Sequence, residues 1–84
     1  MKAIYITFGH SHQHQLAGKV LDKDSVAVLP CESEAEGRSL ALKHFSTKWA
    51  FAYFDEDWIA SELEYYPRGY AVISQEELEM EAAK

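Results

Sequence analysis

The sequence predicts an α+β domain, a mostly antiparallel sheet of three to five strands with one main helix packed on a face and an acidic C-terminal helix. Three observations carry that prediction. Segments rich in Ile, Val, Tyr, Phe and Thr recur at residues 3–8, 25–29 and 48–54, a composition that suits a pleated, half-buried surface. Two Ser-x-x-Glu capping boxes, Ser33 to Glu36 and Ser74 to Glu77, each mark the start of a helix. No repeat, low-complexity run or linker divides the chain, so residues 1–84 read as a single domain.

The elements follow in chain order. Residues 3–8 form the first strand, and Gly9 permits a bend that ends it. Residues 10–24 read as a loop, with turn-like Ala17-Gly18 and Asp22-Lys23-Asp24 on either side of a short strand at Val20-Leu21. Ser25 to Leu29 is a second strand, closed by Pro30, which cannot donate to a ladder. The main helix spans 34–45, with Ser33 as N-cap, Glu36 reaching back, and Glu34–Arg38 as an i,i+4 pair. Leu40, Ala41 and Phe45 line its inner side, with Leu42 beside them, while Lys43 and His44 suit the negative end of its dipole. Gly37 costs roughly 1 kcal/mol against Ala inside a helix, so it marks close packing on the sheet.

A third strand, Lys48 to Phe54, turns Trp49, Phe51 and Tyr53 one way and Ala50, Ala52 and Phe54 the other. The two alanines are where a helix backbone comes close. Asp55 is placed to cap a short helix, with Phe54 and Ile59 as its hydrophobic staple. Tyr66-Pro67-Arg68-Gly69 fits a turn with Pro second and Gly fourth. Residues 70–73 form the last strand, and Ile73 and Leu78 staple a helix over about 75–83 that holds four glutamates. The link through the main helix fits a right-handed crossover between parallel strands, and a split βαβ arrangement is compatible with it.

Composition bounds the function. Hydrophobic residues make up 48% of the chain, enough for a core and too many for disorder. Cys31 is the lone cysteine, which argues against a disulfide scaffold and suits a reducing cytoplasm. The apolar run after Met1 is too short and too polar for a signal peptide or a membrane span, so the chain reads as cytoplasmic with no membrane partner. Its net charge of −6 is unevenly spread: residues 1–21 hold two lysines and no acid, and all fourteen acids follow with six bases. No Lys/Arg stripe exists to displace counterions from phosphates, so direct nucleic-acid binding is excluded. An acidic surface instead suits a basic protein partner, or serves solubility alone.

His10-x-His12-x-His14 is the sharpest motif. On extended backbone, alternate residues share a face, so the three imidazoles would converge, as in zinc or other divalent transition-metal sites. Asp22 and Asp24 would join them if residues 10–24 form a hairpin or tight loop, and His44 offers a further nitrogen. The competing reading is a polar loop whose histidines bond to backbone. Trp49, Phe51 and Tyr53 would form either one side of a core, a stacking platform for a small planar ligand, or an uncovered face that invites a homodimer. Tyr65, Tyr66 and Arg68 are residue types favoured in protein contacts, and with Glu76, Glu77 and Glu79 they mark the expected partner surface. Cys31 precedes a helix N-terminus, where a dipole lowers a thiol pKa, although a buried inert thiol fits as well. No phosphate-binding glycine loop or nucleophile constellation appears, which points to binding rather than catalysis.

Thr7-Phe8-Gly9 with His10 and His12, Asp22-Lys23-Asp24, Lys48-Trp49-Ala50-Phe51 and Tyr66-Pro67-Arg68-Gly69 together carry a family likeness over residues 1–72. On these motifs the chain resembles small uncharacterised proteins encoded by bacteriophages, and the acidic segment after Ser74 lies outside the likeness. The resemblance implies expression inside a bacterial host and binding to a host protein, for instance as an inhibitor of a defence system. It supplies no catalytic residues.

Overall fold

The computed structural model describes residues 2–82. Four strands, β1 (Lys2–Thr7), β4 (Ser25–Cys31), β5 (Phe51–Phe54) and β6 (Gly69–Val72), form one sheet in the order β5-β1-β4-β6. Strands β2 (His14–Leu16) and β3 (Lys19–Leu21) make a separate hairpin, and the helices are α1 (Glu34–Phe45) and α2 (Gln75–Ala82). The fold is α+β, with a mixed sheet. β1 runs antiparallel to both its neighbours, whereas β6 runs parallel to β4. Because β4 and β5 are both antiparallel to β1, they are parallel to each other with β1 between them. The β4–α1–β5 link is therefore a split βαβ unit.

Alternation along the strands gives the sheet two unlike faces. Ile4, Ile6, Ala27 and Leu29 meet Ala41 and Phe45 of α1, Leu16 and Leu21 of the hairpin and Leu78 of α2 in the main core. Gly37 is where α1 touches the sheet: a Cβ there would lie 2.9 Å from the Cβ of Ile4. The register places Tyr5, Thr7, Val26, Val28, Phe51, Tyr53, Tyr70 and Val72 on the opposite face. No regular helix covers them. The chain leaves β5 at one edge and reaches β6 at the other through two 3₁₀ segments, Asp55–Asp57 and Ala60–Tyr65. Trp58 anchors this connection by stacking on Tyr5 at 5.4 Å and donating from Nε1 to the Tyr70 hydroxyl at 2.8 Å.

Both helix starts lie where the capping boxes put them. At α2 the bonds are reciprocal: the Glu77 N–H donates to Ser74 Oγ at 3.1 Å, and the Ser74 N–H to Glu77 Oε1 at 3.0 Å. At α1, Ser33 Oγ accepts from the Glu36 N–H at 3.2 Å, without a return bond from the Glu36 carboxylate among the described residues. Residue 83, the last of the expected terminal helix, lies outside the described residues.

Three expectations need correction. Strand β4 continues through Pro30 to Cys31. The Val28 carbonyl points toward β6, where it accepts from Ile73, so the amide side of residue 30 also points there, past the end of β6. No ladder bond is lost. Asp55 caps nothing: it adopts a positive φ of 48°, neither 3₁₀ segment has a side-chain cap, and Ile59 is exposed rather than stapled. Leu42 points to solvent. Of the two forms open for residues 10–24 the hairpin is the one adopted, turned by Ala17 and Gly18 with φ of 52° and 76°, the left-handed pair that matches strand twist.

Candidate binding surface

At one end of the sheet β1 finishes while β4, β5 and β6 begin. Thr7, Phe8, Gly9 and His10 leave β1 there, beside Lys23 and Asp24 before β4, Ala50 and Phe51 at β5, and Tyr65 and Tyr66 ahead of β6. Together they line an open cleft of about 320 Å³. Its far wall is tied down by Asp22, which accepts from Arg68 Nε at 3.2 Å, and by the Arg68 N–H, which donates to the Asp24 carbonyl at 2.8 Å. The Gly69 N–H closes the 66–69 turn on the Tyr66 carbonyl at 2.8 Å. The Asp24 N–H, 3.0 Å from Asp22 Oδ1, holds the Asp22 carboxyl below its usual pKa; burial opposes this and the Arg68 charge adds to it. The Tyr66 phenol is pushed up by burial, and Thr7 pulls it partly back. Thr7 itself is only 2% exposed, and its Oγ1 forms no hydrogen bond of accepted geometry among the described residues.

The histidines do not share a face. A turn closes from the His12 N–H to the Gly9 carbonyl at 3.2 Å, so the backbone is not extended where convergence required it. His10 is exposed at the cleft. His14, at the start of β2, donates from Nε2 to the Lys48 carbonyl at 2.7 Å and packs 5.0 Å from the Phe45 ring. Asp22 is engaged by Arg68, and Asp24 by Lys23 at 3.3 Å. Among the described residues no three His, Cys, Asp or Glu side chains gather as a metal ion requires.

The aromatic stripe divides as well. β5 begins only at Phe51, and Trp49, before a bend at Ala50, packs toward the main core with Nε1 donating to the Ser46 carbonyl at 3.0 Å. Tyr53 joins the aromatic layer under Trp58 at 5.7 Å. Phe51 stays 62% exposed at the sheet edge, and Tyr65 is 70% exposed across the cleft from it. Around them the chain from Trp49 to Pro67 holds five acids and no Lys or Arg. None of those acids joins an ion pair among the described residues.

Glu76, Glu77 and Glu79 belong to the other side of the sheet, because Leu78 fixes α2 in the main core. Glu77 is spent on Lys19 at 3.0 Å and on its own helix cap, while Glu79 borders a groove with His44 between the helices. The expected partner surface of Tyr65, Tyr66, Arg68, Glu76, Glu77 and Glu79 is thus split between two sides of the sheet. Burial pushes the Cys31 thiol pKa up, and the charges of Glu36, Glu32 and Asp55 add to that, so the thiol is not activated. No described helix is long and apolar enough to cross a membrane. Trp58, central to this face, belongs to no motif the sequence offers, and Thr7 enters only through the Thr7-Phe8-Gly9 motif of the family likeness. Comparison with protein-family models, curated proteins and solved structures gives no match.

Proposed function

We propose that this chain is a small acidic protein-binding module that docks a basic surface of another protein through the face built on Phe51, Ile59, Tyr65 and the acids of 55–64. One observation carries the reading: exposed aromatic and apolar side chains are interleaved with five acids on a stretch that has no base to neutralise them. Unpaired like charges raise a field that steers a cationic partner, and the exposed aromatics supply contact area once it arrives. The phage resemblance gives the partner class, a host protein met in the bacterial cytoplasm. A second copy of the chain is disfavoured at this face, since two equally acidic surfaces repel.

The test is recovery of partners from bacterial lysate on immobilised chain at low and high salt. Reversal of Glu56, Glu62 and Glu64 to Lys is compared with reversal of Glu76 and Glu79. The expected result is a partner retained at low salt, released at high salt, lost with the first set and kept with the second. A partner indifferent to the first set rules the face out.

A further inference from the structure

We propose that the cleft at the strand ends seats an arginine side chain of the basic partner. This inference rests on the protein-binding reading and adds the group that is recognised. The cleft, about 320 Å³ and open to solvent, has room for a side chain. Its walls include the rings of Phe51, Tyr65 and Tyr66, two of them exposed, and aromatic faces attract a flat guanidinium.

The polar groups suit a cationic donor of this kind. Thr7 lines the cleft beside Tyr66 with a buried hydroxyl that makes no well-formed hydrogen bond, so a polar occupant that reaches it satisfies it and an apolar one does not. Guanidinium carries five donors and no acceptor. Asp24 lines the cleft but pairs with Lys23, so the field that disfavours an anion comes from the five acids of the neighbouring 55–64 connection. Two groups of opposite tendency also face the cleft: Lys23, whose charge is countered by Asp24 at 3.3 Å, and His10, which is exposed. Tyr66 shares the wall with Thr7 and its ring lies 6.2 Å from Trp58, so an occupant that displaces Tyr66 to reach Thr7 reports through Trp58 emission.

The experiment uses the full chain with Trp49→Phe, which leaves Trp58 as the single indole. It is titrated with an acetylated, amidated hexapeptide of alternating arginine and glycine, and with the version carrying lysine for arginine. The arginine peptide is expected to bind about tenfold more tightly and to shift Trp58 emission. Thr7→Val is expected to remove about tenfold from arginine-peptide affinity and leave the melting temperature equal or higher. Phe51→Ala, at an exposed position, is the second variant and is expected to weaken the arginine peptide selectively. Equal binding of both peptides, unmoved by either variant, overturns the cleft assignment; if that binding is salt-dependent, the acidic-face reading stands. Failure of both peptides to bind at low salt overturns both.

Discussion

Gly37→Ala reverses the usual sign of a helix substitution. In a solvated helix the change stabilises by about 1 kcal/mol. Here the new methyl would sit 2.9 Å from both Cβ and Cδ1 of Ile4 and 3.0 Å from Cys31 Sγ. Carbon atoms attract best at roughly 3.5–4.0 Å, so more than half an ångström is missing. The Cδ1 of Ile4 can turn aside, but its Cβ cannot, because β1 is hydrogen-bonded on both sides. The strain therefore falls on α1, which must lift off the sheet and loosen Ala41 and Phe45. Overpacking of this kind costs about 1–3 kcal/mol, and an immovable partner sets it toward the upper end. Net of the propensity gain, a loss of about 1–2 kcal/mol is expected, or about 5–15 °C in melting temperature for a domain of this size. Urea titration and calorimetry on wild type, Gly37→Ala, Ile4→Val and the double variant measure it. Ile4→Val removes Cδ1 and keeps Cβ, so it should recover part of the loss, about 0.5–1 kcal/mol. A higher melting temperature for Gly37→Ala, or strict additivity in the cycle, refutes the contact geometry.

Two further predictions concern the tie and the anchor of the second face. Asp22→Asn should cost about 1 kcal/mol at neutral pH, and urea titration should find the difference gone in strong acid. The folded carboxyl titrates below its ordinary value, so its contribution is complete above about pH 4 and is lost as pH falls through the lowered pKa; a deficit equal at both pH values contradicts this. Tyr70→Phe keeps the ring and deletes the acceptor for Trp58 Nε1, whose residue is 9% exposed. A loss of about 1–3 kcal/mol by the same titration is expected, and unchanged stability would show that water replaces the hydroxyl.

Helices were the most legible part of the sequence because their signals are local. A Ser-x-x-Glu pair fixes a helix start within four residues, and α1 and α2 begin where those pairs place them. Pairing is not local. Nothing in Gly69 to Val72 distinguishes a parallel neighbour of β4 from an antiparallel one, and only the route of the chain over the sheet decides it. The β2–β3 hairpin was half hidden because Ala17 occupies a left-handed turn position where Gly or Asn is the usual signal. His10, His12 and His14 misled for a related reason: a spacing of two has geometric meaning only on extended backbone, and Gly9 to His12 is a turn. The cleft is assembled from four separate stretches of chain, so Tyr65, Tyr66 and Asp24 could be suspected one by one while their meeting with Thr7 could not.

The topology itself explains why this face carries the irregular, acid-rich connection on which the proposed contact surface is built. With β5 and β6 at opposite edges, the connection between them has to span the sheet, and α1 already covers the other side. A crossing made of short 3₁₀ segments offers few inward positions, and Trp58 fills the main one by stacking on Tyr5. Most of the remaining residues of the crossing face water, which is why acids and an exposed Ile59 can stand there without harm to the core. The edge strand beside it carries Phe51 in the open, a position that would invite strand pairing between copies. Negative charge at Asp55, Glu56 and Asp57 immediately after that strand repels a second acidic copy while leaving the edge accessible to a basic one. On the proposed reading one charge pattern thus works against self-association and for a cationic partner, and neutralising it is expected to promote aggregation as well as weaken docking.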